Sequence, residues 1–83
     1  MALTQVGWAV RLRLPRWDDH IVERLEHAGI EAVEAPVGFS SSPVEVTFTT
    51  PDATEPGAVD RVFGALRGWT VLLPRDVVSS GPC

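Results

Sequence analysis

The sequence predicts a single α+β domain in which the order strand, helix, strand occurs twice. Two stretches with helical spacing end in glycine, at Gly29 and at Gly68, and each runs directly into a short apolar segment. A run of alternating apolar and polar residues precedes each helix, as expected of a strand with one buried face. The chain has 83 residues, 45% of them hydrophobic, which suits one small core. We expect residues 1–83 to form one domain, with its core at about 6–73 and a tail at 75–83.

The first half of the chain predicts a strand followed by a well-capped helix. Residues 6–14 alternate apolar side chains with polar or small ones, and Pro15 ends this strand. Asp18 is placed to cap the next helix, and Trp17 precedes the cap, where it packs as a hydrophobic staple. Gly29 follows the helix, at the position where a positive φ favours glycine. We therefore expect the side chain of Trp17 to be structural.

The middle of the chain predicts two strands joined by a turn. Residues 30–37 form the weaker strand, and Pro36 marks it as an edge because proline donates no hydrogen bond to a neighbour. The stretch 38–43 is rich in glycine, serine and proline and reads as a hairpin-like connection. Residues 44–50 alternate clearly, which predicts a strand with one buried face.

The last part of the chain predicts a second helix and a fourth strand. Thr54 or Glu55 starts the helix, and Pro56 in the first turn has a backbone angle that suits this position. Glycines inside the helix weaken it. The apolar stretch Trp69–Leu73 is the predicted fourth strand, which Pro74 ends.

These elements together predict a ferredoxin-like βαββαβ sandwich with a four-stranded antiparallel sheet and both helices on one face. The usual strand order is 4-1-3-2, which makes the first and third strands neighbours. The open face of the sheet then carries Arg11 and Arg13 beside Glu45, and opposite charges on adjacent strands attract. Phe39 lies at the tip of the central connection, where an aromatic side chain can anchor a partner. The predicted partner contacts are Phe39, Arg11, Arg13 and Glu45.

The order of elements over residues 6–73, and the segment 18–37 with its Ala28-Gly29-Ile30 helix end, resemble the ACT-type regulatory domains. Members of that family are ferredoxin-like modules that commonly pair and bind small effectors such as amino acids at their interfaces. For this chain the resemblance implies a small-molecule effector near the edge strand and a ligand turn formed by Arg16, Trp17 and Asp18.

Composition and charge limit the classes of partner that this chain can bind. Seven arginines and no lysine stand against 11 acidic residues, and the net charge of −4 argues against nucleic acid as a partner. No apolar run approaches the roughly 20 residues that cross a membrane. Cys83 is the single cysteine, so no internal disulfide forms. These features favour the cytoplasm, and the use of arginine without lysine or asparagine is typical of a GC-rich bacterial genome.

The sequence predicts no catalytic residue, no cofactor and no metal site. His20, Glu23 and His27 share one side of the first helix, but about 10 Å of rise separates the two histidines, too far for one ion. The serines at 40–42 lack the glycine pattern of a nucleophile elbow. Cys83 is expected to be an inert thiol or a modifiable handle at the end of the chain.

The preferred hypothesis is a non-catalytic interaction or regulatory module that pairs with itself or with a larger enzyme or regulator. A core this small gains stability from association, which supports the hypothesis. The alternative is a sensor that binds a small-molecule effector in the manner of the ACT domains. A small enzyme is a third hypothesis, and it requires a polar pocket that the sequence does not reveal.

Overall fold

The computed structural model of the protein describes residues 7–36 and 38–82. Val6, Val37 and Cys83, for which the sequence also made predictions, lie outside these residues. Short one-turn 3-10 helices at Asp19–Ile21 and Pro74–Asp76 supplement the main elements. The strands and helices, in chain order, are β1 (Trp8–Leu14), β2 (Trp17–Asp18), α1 (Val22–His27), β3 (Ala32–Glu34), β4 (Phe39–Ser40), β5 (Val44–Thr50), α2 (Glu55–Leu66) and β6 (Val77–Pro82).

Four strands form the main sheet, in the order β3-β5-β1-β6, and all neighbours are antiparallel. In the register of the central pair, Leu12 lies opposite Val46 and Val10 opposite Phe48. A bulge between Arg11 and Leu12 interrupts the ladder between β1 and β6. The alternation in the sequence therefore places the apolar residues of β1 and β5 on the same face.

The hydrophobic core lies between that face and the helices. Helix α2 contacts β1, β5 and β6, and α1 contacts α2. Because strand side chains alternate between faces, every second residue of β1 and β5 is buried while the intervening ones are exposed or half-buried. The fully buried side chains include those of Val10, Leu12, Trp17, Leu25, Val46, Phe48 and Val62.

The helix ends agree with the predictions from the sequence. The side chain of Asp18 accepts a hydrogen bond from the amide of His20 at 3.0 Å, at the start of the turn that leads into α1. The hydroxyl of Thr54 accepts one from the amide of Gly57 at 3.3 Å, at the start of α2. Gly29 and Gly68 have φ angles of 90° and 86°, in the region that favours glycine.

The predicted ferredoxin-like sandwich with strand order 4-1-3-2 is wrong. The order is β3-β5-β1-β6, and a second sheet of two short strands, β2 and β4, is present. This second sheet forms where the sequence predicted connections, because the Asp19 amide donates to the Gly38 carbonyl at 3.1 Å and the Gly38 amide donates to the Asp19 carboxylate at 2.6 Å.

The predicted fourth strand, Trp69–Leu73, is also wrong, because it pairs with neither sheet. The edge of β1 is taken by β6 instead, in the stretch that the sequence assigned to a tail. The turn Pro74–Asp76 changes the direction of the chain after Leu73, and Val77 then lies opposite Leu12.

Among residues 7–36 and 38–82, no helix is both long enough and apolar enough to cross a membrane.

Candidate functional site

The segment that links α2 to β6 is held at both ends and open in the middle. At its start, the amides of Trp69 and Thr70 each donate to the Leu66 carbonyl at 3.1 Å. At its end, the Leu73 amide donates to the Asp76 carboxylate at 2.8 Å, and the Asp76 amide donates to the Leu73 carbonyl at 2.9 Å. Between these anchors, the chain passes over the surface without joining a sheet.

Two aliphatic side chains of this segment face outward. Val71 is 83% exposed and Leu73 is 42% exposed. Single exposed apolar side chains are common on protein surfaces, but these two lie two residues apart and line the same surface depression. The sequence led us to expect these residues inside a sheet.

Two cavities flank Val71, which lines both of them. We call Val71 together with these two cavities the Val71 surface. The larger cavity, of about 350 Å³, is lined by Arg13, Pro15, Pro43, Val71, Leu73, Arg75 and Asp76. The smaller one, of about 300 Å³, is lined by Phe63, Arg67, Gly68, Thr70, Val71 and Leu72.

Arginines gather around this surface. The guanidinium of Arg16 lies 4.6 Å from the centre of the Trp69 ring, a cation–π contact, and donates to the Trp69 carbonyl at 3.1 Å. The guanidinium of Arg24 donates to the Arg67 carbonyl at 2.6 Å. Three further arginines line the cavities themselves. Five of the seven arginines in the chain therefore lie at this end of the molecule: Arg13, Arg16, Arg24, Arg67 and Arg75.

The carboxylates near the Val71 surface are already engaged. Asp76 accepts the hydrogen bond of the Leu73 amide. Glu45 lies 3.2 Å from Arg11 and 3.5 Å from Arg13, so it bridges two arginines on the open face of the sheet. Among the described residues, the side chain of Arg75 forms neither an ion pair nor a hydrogen bond. Three arginines line the two cavities against one carboxylate, that of Asp76, so the Val71 surface carries positive charge although the chain as a whole is negative.

The predicted ligand turn is occupied by contacts within the chain. Arg16 covers Trp69, as described above. Trp17 is fully buried, its ring packs edge-on against Trp69 with 6.3 Å between centroids, and its indole N–H donates to the Asp19 carboxylate at 2.9 Å. None of the three predicted turn residues lines either cavity of the Val71 surface.

Asp18, the third residue of the predicted turn, is paired with His20. Its carboxylate lies 2.6 Å from Nδ1 of His20. The hydrogen bond from the His20 amide, followed by that of the ring, lowers the pKa of Asp18. The hydrogen bond to Asp18 in turn raises the pKa of His20. Because the same carboxylate accepts the His20 amide, the pair caps the turn that leads into α1.

The structure brings three of the four predicted partner contacts together. Arg11, Arg13 and Glu45 form the charge cluster on the open face, and Arg13 also reaches the larger cavity. Phe39 stands apart on β4, opposite Asp18, and is 66% exposed.

Sequence reasoning missed Val71, Leu73 and Arg75. The signal for them was the stretch Pro74-Arg75-Asp76, because an aspartate at this position can bond back to the amide before the proline and so close a turn.

Metal ligands do not cluster in the part of the chain that the structure describes. Within 7–36 and 38–82, no group of three histidine, cysteine, aspartate or glutamate side chains is placed to hold an ion. His27 Nε2 and Glu23 Oε1, one helical turn apart, are 3.9 Å from each other and form a two-residue contact only.

Comparisons of this chain with protein-family models, with curated proteins and with solved structures find no match. The resemblance to ACT-type domains therefore stays a prediction from the order of elements. The functional argument depends on the Val71 surface itself.

Proposed function

We propose that this protein is a non-catalytic interaction module that binds a protein partner through the Val71 surface. The observation that carries the proposal is the exposure of Val71, at 83%, between two cavities with apolar walls. Covering one valine side chain contributes about 1.5–3 kcal/mol, and the cavities offer further apolar area beside it. A partner that covers this surface removes Val71 from water, and the complex is stabilised by this free energy.

The size of the chain supports the same proposal. A domain of 83 residues has a small core, and association with a second protein or a second copy adds buried area. The alternative, a sensor of small effectors at Arg16, Trp17 and Asp18, has less support because all three side chains are already engaged within the chain.

Light scattering and co-purification test the proposal. The wild-type chain is expected to form a dimer at micromolar concentration or to co-purify with a stoichiometric partner, and Val71→Thr is expected to weaken that assembly. The matched control is Val78→Thr, which makes the same change at a valine that is 45% exposed on β6 and lines neither cavity. A wild-type chain that is monomeric at every concentration and has no partner would refute the proposal.

A further inference from the structure

We infer that the partner presents an extended peptide, in which carboxylate and aliphatic side chains alternate, and that this peptide pairs with the backbone of Thr70–Leu73. The inference rests on the proposed function and specifies its ligand. Three features of the Val71 surface carry it: a backbone without hydrogen-bond partners among the described residues, two cavities with apolar walls, and arginines at the rim.

The backbone of this segment is free to pair. Among the described residues, the amides of Val71 and Leu72 donate to no acceptor, and the carbonyls of Thr70, Val71 and Leu72 accept no hydrogen bond. Leu73 has extended torsion angles, φ −117° and ψ 156°. Thr70–Leu73 belongs to neither sheet, and a run of β-branched and apolar residues with unpaired backbone groups at the surface can pair with a further strand.

The cavities suit aliphatic side chains at alternate positions. In an extended peptide, side chains on one face recur every second residue, about 6.5–7 Å apart. Pro15, Pro43 and Leu73 form the apolar wall of the larger cavity, and Phe63 and Leu72 form that of the smaller one. Because Val71 separates the two cavities, a strand that lies along this segment places successive same-face side chains on either side of it.

The charge at the rim selects carboxylates. Arg75 lines the larger cavity and Arg67 lines the smaller one, and among the described residues neither side chain forms an ion pair or a hydrogen bond, whereas Arg13 is already paired with Glu45. Arginine pairs with carboxylates through two parallel hydrogen bonds, which gives direction as well as attraction. The alternation of acidic and aliphatic residues in the ligand follows from these two features together.

Nucleic acid, the other common ligand of arginine clusters, suits this surface less well. Single strands bind by stacking their bases on exposed aromatic faces. Phe63, which is half-buried, is the one aromatic side chain in the lining of the two cavities, and Arg16 already covers a face of Trp69. The net charge of −4 also repels a polyanion beyond the local patch.

The first experiment measures binding of a labelled synthetic peptide of alternating valine and glutamate to the wild-type chain by fluorescence anisotropy. Saturable binding is expected. Replacing glutamate by lysine in the peptide is expected to abolish it. A single-stranded oligonucleotide serves as a third probe and is expected to bind more weakly than the acidic peptide.

Variants locate the site. Arg75→Gln is expected to weaken binding of the acidic peptide about tenfold, because it removes a charged donor at the rim. Its matched control is Arg11→Gln, the same change at an exposed arginine that lines neither cavity. Val71→Thr is expected to weaken binding as well, and Val78→Thr is expected to leave it unchanged.

Amide hydrogen exchange tests the pairing of the backbones. The amides of Val71 and Leu72 are expected to exchange more slowly when the valine–glutamate peptide is bound. The inference is overturned if the acidic peptide does not bind, if the lysine peptide or the oligonucleotide binds as well as it does, or if these amides stay unprotected. If light scattering shows a partner or a dimer while the peptide fails to bind or to compete, the proposed function stands and this inference falls.

Discussion

The two helix–glycine–strand units of this chain end alike and lead to different structures. Gly29 and Gly68 both follow a helix with nearly the same positive φ, 90° and 86°. After Gly29, Ile30 is buried, the Glu31 amide donates to the Thr49 carbonyl at 2.8 Å, and β3 joins the sheet. After Gly68, the chain stays outside both sheets until β6.

The difference shows that a glycine cap sets the direction of the chain but does not choose a strand's partner. Strand β3 finds the free edge of β5 directly after its turn. The corresponding edge of β1 is taken by β6, five residues of which lie opposite residues of β1. The stretch Thr70–Leu73 is left without a partner, and its exposure creates the Val71 surface.

The two units also differ in how their glycine turns are secured. The guanidinium of Arg61 donates to the carboxylate of Asp52 at 2.8 and 3.2 Å and to the Ala28 carbonyl at 3.0 Å. These bonds tie the first glycine turn to the residues just before α2. The second turn receives two guanidinium hydrogen bonds, from Arg24 to the Arg67 carbonyl and from Arg16 to the Trp69 carbonyl. Among the described residues neither of these arginines forms an ion pair, whereas Arg61 does so with Asp52. We expect the first unit to be more sensitive to substitution.

The largest effect is expected where the two units meet, at the contact between Trp17 and Trp69. Trp17→Ala is expected to lower the free energy of unfolding by about 3–5 kcal/mol, because it empties a fully buried site. Urea denaturation measures this, and Trp17→Phe provides a folded reference with a smaller loss. Trp69→Ala serves as the comparison and is expected to cost less, since Trp69 is only half-buried. Equal losses at the two positions would contradict this order.

A matched pair of glycine substitutions separates the two turns. Gly29→Ala and Gly68→Ala both introduce a side chain at a positive φ, which costs about 1–2 kcal/mol. At Gly29 the new Cβ also lies 2.6 Å from Nη1 of Arg61, and moving that group breaks its bond to Ala28. At Gly68 the group nearest to the new Cβ is Nη2 of Arg24, 3.9 Å away, which is an ordinary contact.

Gly29→Ala is therefore expected to lose more stability than Gly68→Ala, by about 1 kcal/mol, the worth of one hydrogen bond. Thermal unfolding of the two variants measures the difference. A larger loss for Gly68→Ala would show that the second turn is the more constrained of the two.

The smallest effect on stability is expected from lowering the pH. The hydrogen bond from Arg61 lowers the pKa of Asp52 below its usual 3.8. A carboxylate with a lowered pKa in the folded state stabilises the fold above its unfolded pKa, and this contribution is lost as the pH falls through the folded value.

The melting temperature of the wild-type chain is therefore expected to fall below about pH 4 more steeply than that of Asp52→Asn, which has no carboxylate to protonate at this position. Circular dichroism melts between neutral and acidic pH measure both slopes. Parallel slopes would mean that the Asp52–Arg61 pair contributes nothing to the fold.

Much of the fold was predictable because its signals are local. The alternation in β1 and β5, the caps at Asp18 and Thr54, and the positive φ of Gly29 and Gly68 each depend on neighbours in sequence. The pairing of Arg11 and Arg13 with Glu45 followed from the register of two adjacent strands. Of the Val71 surface, only Arg13 was among the predicted contacts.

The remaining features could not be read in the same way because they depend on competition between distant segments. Residues 69–73 and 77–82 both follow α2, and nothing in the composition of the first stretch says that the second takes the edge of β1. The short sheet of β2 and β4 likewise depends on bonds between Asp19 and Gly38, which are far apart in sequence.

The sequence by itself determined the α+β class, the buried faces of the two long strands and the glycine turns, since each follows from residue period or from allowed backbone angles. Only the tertiary structure decided which segment completes the sheet, because segments far apart in sequence compete for the same free strand edge. That choice paired β6 with β1 and left Val71 at the surface among five arginines.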